Sequence, residues 1–585
     1  RYYDDLGGYY SPYATPSFAL GRELELDVGK AWIDFGLTLP DWPELIFGYE
    51  FQYKDGTKSM LTWGPSSALP ITRNIYPSFK DIDEQVHIFK FDLRHDWNGT
   101  LIEDEFRAEL HDLKTRHTHG SFEFDTLGPT PVPLERLREQ TDQFIGANTL
   151  RLERQIRDGW FASAGYHYSR LAADVAIDLR TETPAGATAS GFQWVANGIT
   201  HDAETHAFSV SSLFGPWSDL TISPSVQSEW HRRRSFGGAD LQFVPFFGPL
   251  TPVPVALSSS YDEHITTEAI ALRYTGFTNF VLHGEARLTQ EDLGIFEQQV
   301  GGLGAFPVKS PGYLQRSNGD VDDKQFQAGI RYAPTARLSL ATEYQRREKN
   351  TGYVDEIAAV TAPWALPGFI RWHEQMTDEI SARITARLQR WWRMQLDYRL
   401  VSGEYVVATD TFAGATPGGA IFSSDSDTHT ISLGNSFQLN HRLQLSATAS
   451  FSDSRTVSAQ NGVAAVAPWR GRSFNANGQI NYALNEKTDW QCSYHFAQAE
   501  FGQSNLAAGL PAGTDYRSHA LQTGITRRLK RDITARLQYA LFLYDEPTGG
   551  GFSDYTAHGI FATIQLAWPK PPGDSLRVTD FKTNQ

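Results

Sequence analysis

The sequence predicts an all-β fold, a single antiparallel transmembrane barrel of about 22 strands (range roughly 20–26). Three observations carry that expectation. Apolar residues fall at every second place through ribbon after ribbon, connections alternate between short and long, and aromatic residues gather at the short-connection ends. Thr428–Ser452 shows the unit most plainly. Ile431, Leu433, Phe437 and Leu439 share one parity, and beyond Asn440-His441 so do Leu443, Leu445, Ala447, Ala449 and Phe451. Ser, Thr, Gly and Gln occupy the other parity, as in a hairpin with one greasy and one wet face. A soluble sandwich shows the same local pattern, so recurrence and the hairpin ends must decide.

From the amino terminus, Arg1 to Ala19 holds five tyrosines among Gly, Ser and Pro and reads as an irregular aromatic outer loop, spanning about 1–21. Leu24, Leu26 and Val28 then alternate, and the greasy parity switches beyond Gly29 to Ala31, Ile33, Phe35 and Leu37, as a bulge at the glycine would cause. Leu45 to Tyr53 follows after Pro40-Asp41-Trp42-Pro43. The next hairpin turns at Asn98-Gly99, a strong short-range turn signal. The unit returns around Arg157-Asp158-Gly159, Gly215-Pro216-Trp217, Gly276, Pro334, Asn485 and Lys530-Arg531, and ends with Ile560 to Trp568. Ile380, Ile384 and Leu388 also fit a helix, but Ala382 and Ala386 complete the alternation, so a strand is expected there.

Long connections rich in Gly, Pro, Ser and Ala are expected at Leu171–Asp202, Phe236–Asp262, Asn350–Trp372 and Ala408–Asp427. They would be extracellular, and the short turns periplasmic. The short-turn ends carry Trp97, Trp160, Trp217, Phe277, Trp391, Trp392, Trp490 and Trp568, a candidate membrane-interface girdle. The barrel would span 1–568, and 569–585 would be a polar periplasmic tail. About twenty-one strands are countable, the last ending on the short-turn side. An even number with both termini periplasmic then requires one further ascending strand ahead of Arg1. Such a barrel is too wide for its own side chains to fill.

Composition excludes several classes. Mean hydropathy is −0.40 and no apolar run reaches the length of a spanning helix, which leaves strands as the membrane-crossing element. The net charge of −16 argues against a nucleic-acid partner. One cysteine, Cys492, excludes an internal disulfide framework and falls on the greasy parity. No G-x-S-x-G, H-E-x-x-H or phosphate-loop motif is present, so no enzyme is expected and no catalytic residue is assigned. No C-x-x-C-H occurs, so no haem is expected to be bound covalently.

The wet parity carries charge. Glu103, Glu105, Arg107 and Glu109 share a strand, Arg151 and Glu153 the next, and Glu285 and Arg287 another; Arg383, Arg387, Arg393, Asp397, Arg399, Asp532 and Arg536 complete the expected lumen-facing set. Mixed charges solvate a wet wall, and the sharper alternative is ion selection or docking of a protein inside. His111, His117 and His119 form a weak metal candidate against the commoner exposed polar loop. The aspartates at 425 and 427 and at 320, 322 and 323 lack the spacing of a known calcium loop.

The run Trp42–Gly64, W-P-E-L-I-F-G-Y-E-F-Q-Y-K-D-G-T-K-S-M-L-T-W-G, together with the many-stranded layout, resembles large outer-membrane barrels of the MtrB/PioB type, the porin components of porin-cytochrome conduits. The amino-terminal cysteine pair of some members is absent here. The resemblance implies a bacterial outer-membrane sheath around a periplasmic multihaem cytochrome, with a surface-exposed protein as a further partner and the haem held only by the partner chain. A diffusion or substrate-selective porin, and a TonB-dependent receptor barrel without its plug, are the alternatives.

Overall fold

A computed structural model describes residues 25–566, apart from 66–72, 120–121, 126–127, 132–133, 183–190, 245–250, 302–312, 359–368, 411–420, 461–467, 504–512, 531–532 and 550–553. The wall begins with β1 (Leu26–Leu37), β2 (Glu44–Pro65), β3 (Arg73–Trp97) and β4 (Thr100–His119). A small separate ribbon, β5 (Phe122–Asp125) and β6 (Gly128–Pro131), follows. The wall resumes with β7 (Leu134–Arg157), β8 (Trp160–Glu182), β9 (Gly191–Trp217), β10 (Leu220–Val244), β11 (Thr251–Tyr274), β12 (Phe280–Gly301) and β13 (Tyr313–Thr335). It continues through β14 (Leu338–Ala358), β15 (Phe369–Gln389), β16 (Trp392–Asp410), β17 (Ile421–Gln438) and β18 (Leu443–Gln460). The last strands are β19 (Trp469–Asn485), β20 (Thr488–Gln503), β21 (Gly513–Lys530), β22 (Ile533–Asp545) and β23 (Tyr555–Leu566).

Each wall strand pairs antiparallel with the one before it, giving a 21-stranded meander among the described residues. The short turns follow from local chemistry. Asn98 and Gly99 both take positive φ (52° and 78°), as a two-residue primed hairpin turn requires, and Asp96 Oδ1 accepts the Gly99 N–H at 2.9 Å. After β9 the turn falls at Ser218-Asp219 (φ 48° and 69°), two residues later than expected from Gly215-Pro216-Trp217. Residues 379–389 are strand, as the alternation through Ala382 and Ala386 indicates.

Two expectations need correction. No bulge occurs at Gly29: β1 and β2 stay in continuous register from Leu26↔Gly56 to Leu37↔Leu45. Leu26 and Val28 therefore share a face with Lys30, Trp32 and Asp34, and it is the greasy pattern, not the backbone, that changes sides. The long outer connections are also much shorter than expected. β8 runs on to Glu182 and β9 starts at Gly191; β10 and β11, β14 and β15, and β16 and β17 extend likewise. Above the greasy stretch of β8 the outward parity turns polar, with Arg170, Asp174 and Asp178, and the apolar residues Leu171, Ala173, Val175 and Ile177 fall on the inward parity, so the belt's pattern ends while the interstrand ladder continues.

Exposure is inverted relative to a soluble core. On β3, Phe89 is 45% exposed while its neighbour Ile88 is 2% exposed. Val86, Val255, Val321 and Val407 are buried on the same polar parity, whereas Phe47, Phe208, Phe326, Ile431, Leu433 and Leu537 are exposed on the other. A continuous exposed apolar belt of this kind is the lipid-facing surface of a membrane barrel. On β8 the belt runs from Trp160 to Tyr168 before Arg170 ends it. Nine residues at a tilt of about 40° span roughly 20–25 Å along the barrel axis, the height of a bilayer's apolar layer.

Among the described residues the sheet has two edges: β1 pairs only with β2 and β23 only with β22, and both edge strands run toward the short-turn rim. They are parallel to one another, so antiparallel closure takes one more strand between them.

Candidate functional site

The inner wall is the candidate functional surface of this fold. At roughly 4.8 Å per strand and a tilt near 40°, a wall of this many strands is about 40 Å across between backbones. Side chains about 5–6 Å long leave a bore of roughly 25–30 Å.

The structure places Glu103, Glu105, Arg107, Glu109, Arg151, Glu153, Glu285, Arg287, Arg383, Arg387, Arg393, Asp397, Arg399 and Arg536 on the parity opposite the greasy belt. Asp532 and Trp568 lie outside the described residues. Most of these charges are paired. Glu103 receives Arg94 at 3.4 Å and Arg151 at 3.8 Å, Arg151 also meets Glu153, and Arg287 reaches Glu285 at 2.8 Å. Arg399 donates two hydrogen bonds to Glu379, and Arg383 one to Asp397. Next to them His283 Nε2 lies 3.1 Å from Glu343 across Gly329, where any Cβ would come within 2.4 Å of the imidazole. These groups, with Thr430 and Ser432, line a recess of about 470 Å³. Arg387 and Arg393 instead face each other across β15 and β16, with no acidic partner among the described residues.

The wall is electrically uneven. From β17 to β20 the inward positions at belt height are uncharged: Thr430, Ser432, Ser446, Thr448, Ser450, Asn475, Asn477, Gln479, Gln491 and Ser493. The opposite arc, β2 to β7, is rich in acids, among them Glu50, which receives Lys90 at 3.0 Å and Lys30 at 3.5 Å.

Three residues above the belt on β12, Glu291 shares a hydrogen bond with Glu263 of β11. Its carboxyl is pushed up to about 7, first by burial and then by that carboxylate neighbour, while Lys349 pulls the other way. Tyr261 Oη donates to Glu263 at 2.8 Å, and its phenol is pushed up by burial and by Glu263.

The histidine candidate does not assemble. His111, His117 and His119 lie along one extended strand, β4, and not in a loop. Six residues separate His111 from His117, about 20 Å, too far for one ion. His111 is engaged with Glu109 at 2.9 Å, and no metal-holding group of three ligands occurs among the described residues.

On the outer face the expected girdle residues Trp97, Trp160, Trp217, Phe277, Trp391, Trp392 and Trp490 lie at or within three residues of the short turns. Their indoles are tied across strands: Trp160 to Ser212 at 2.9 Å, Trp392 to Asn435 at 3.0 Å and Trp490 to Thr523 at 2.9 Å. These ties explain why polar Ser212, Asn435 and Thr523 interrupt the greasy parity. Sequence reading missed a second girdle at the top of the belt. Tyr49, Tyr166, Tyr398, Tyr494 and Tyr539 bond to Nδ1 of His87, His206, His429, His519 and His558, at 2.7–2.9 Å. The signal was present as a tyrosine five or six residues into an ascending strand with a histidine in the returning one.

No family model matches the chain, and no curated protein matches it in sequence. Among solved structures it is similar to the copper transporter OprC, at 11% identity and TM-score 0.51, over 94% of this chain and 81% of that one. It is also similar to the ferric yersiniabactin uptake receptor FyuA from Yersinia pestis, at 10% identity and TM-score 0.52, over 92% and 77%. The fold is that of a large outer-membrane β-barrel. The Trp42–Gly64 run occupies a short turn and most of β2, an ordinary strand of that wall.

Proposed function

We propose that this chain is the wall of an outer-membrane transport barrel of the receptor type, whose bore is closed by a separately folded protein or domain. The width of the bore carries the proposal. An open passage of roughly 25–30 Å would leave the membrane freely permeable to large solutes. The similarity to OprC and FyuA along nearly the whole chain supports an uptake role over the cytochrome sheath expected from the resemblance, which no comparison supports. In this role the charged arcs and the hydroxyl and amide arc form the surface on which the occupant docks, with paired carboxylates and guanidiniums fixing its orientation.

Planar-bilayer recording tests this. Protein isolated with its native partners is expected to hold bilayers closed, and to open large steady currents once denaturant strips the occupant. Steady current before stripping overturns the occupied bore. Haem absorbance in the stripped fraction replaces the receptor reading with the sheath.

A further inference from the structure

Five imidazoles recur at one height on the outside of the barrel. Each belongs to a strand pair joined at the outer rim, and each accepts or shares a hydrogen bond with a tyrosine five or six residues into the ascending strand. The geometry is the same every time: the tyrosine bonds to the histidine that stands opposite the residue two places further up, as with Tyr166, Tyr168 and His206 or Tyr494, Phe496 and His519.

A phenol is a good donor, so its O–H on Nδ1 selects the neutral tautomer that carries its hydrogen on Nε2. In all five histidines Nε2 has no partner within the described residues. His264, stacked 5.1 Å from Trp230, differs: its Nε2 is taken by Ser228 at 2.9 Å. The five Nε2 atoms stand where the apolar belt ends and outward charges such as Arg170, Arg472 and Arg517 begin. At that depth the surrounding layer offers acceptors but no bulk water, and an amphipathic ring with its polar tip wet is suited to it.

We propose that His87, His206, His429, His519 and His558 form a ring of imidazole donors that binds the headgroup phosphate oxygens of the outer leaflet and sets the depth of the barrel in it. The tyrosines are positioning residues that fix the tautomer. This goes beyond the transport role and does not depend on what fills the bore.

The test is nitrogen–phosphorus dipolar recoupling by solid-state NMR on histidine-15N protein, reconstituted in vesicles of phosphatidylethanolamine and phosphatidylglycerol. Nε2 nitrogens of the ring are expected to dephase against lipid phosphorus, and H206F or H429F each to remove its own share of that signal while leaving the heat-modifiable gel shift of a folded barrel. Y166F is expected to convert the His206 nitrogen pair into a mixture of tautomers. Absence of Nε2 dephasing in folded protein, including the case where only ester carbonyls are contacted, overturns the proposal. Unchanged dephasing in both histidine variants overturns it as well.

Discussion

Tyr166 Oη lies 2.8 Å from His206 Nδ1, tying β8 to β9 at the top of the belt, while Trp160 Nε1 ties the same two strands to Ser212 at its foot. The arrangement repeats in β16–β17 with Trp392 and Tyr398, and in β20–β21 with Trp490 and Tyr494. Each outer-rim hairpin of this kind is thus clamped at both boundaries of the apolar layer. Y166F is expected to cost about 0.5–1.5 kcal/mol, the usual net worth of one hydrogen bond. Urea unfolding in lipid vesicles measures it, and an unchanged midpoint would show that the clamp is idle.

The two parities of β17 should respond oppositely to charge. Leu433 sits mid-belt between Phe437 and His429, so L433R is expected to destabilise the barrel by roughly 2–4 kcal/mol. S432R, one residue away and facing the bore, should fold normally. Equal losses in the two variants would contradict the assignment of faces.

The hairpins were legible because a period of two survives wherever one face meets lipid and the other water. That is why Thr428–Ser452 and even the ambiguous Ile380–Leu388 stretch could be placed. Legibility failed where the greasy parity changed sides. Past Tyr168 on β8 the outward face turns polar at Arg170 and the apolar residues Leu171, Val175 and Ile177 stand on the inward parity, so the continuation looked like loop; on β1 the apolar Leu26 and Val28 suggested a bulge that the register with β2 rules out. The tyrosine–histidine pairs stayed hidden because their members are 19 to 40 residues apart, and only register brings them together.

The free edges make a geometric prediction. With a strand between β1 and β23, their backbones are about 10 Å apart, beyond the reach of a disulfide. In a C492S background, cysteine pairs stepped down β1 around Ala31 and down β23 around Ala562 should resist oxidation to a disulfide while reacting with a longer bifunctional reagent. Efficient disulfide formation would mean that the two strands abut.

Glu291 gives the extramembrane wall a pH dependence. Its folded value of about 7 stands above the ordinary carboxyl value of 4.5, so the folded state holds a proton that the unfolded chain has lost. Stability should therefore fall as pH rises from about 4.5 through about 7, and level off above. E291Q should flatten that slope and raise the thermal midpoint at pH 8, readable by tyrosine and tryptophan fluorescence. A slope that persists in E291Q assigns the effect elsewhere.

Single cysteines stepped through Thr428–Ser436 and spin-labelled in vesicles test the central claim most directly, by comparing relaxation from oxygen, which concentrates in lipid, with that from a water-soluble nickel chelate. The two accessibilities should alternate out of phase, with labels at 431, 433 and 435 favouring oxygen and those at 430, 432, 434 and 436 favouring nickel. Accessibilities that fail to alternate, or greasy positions shielded from both reagents as in a packed core, would contradict a barrel whose apolar belt lies in lipid around an aqueous bore.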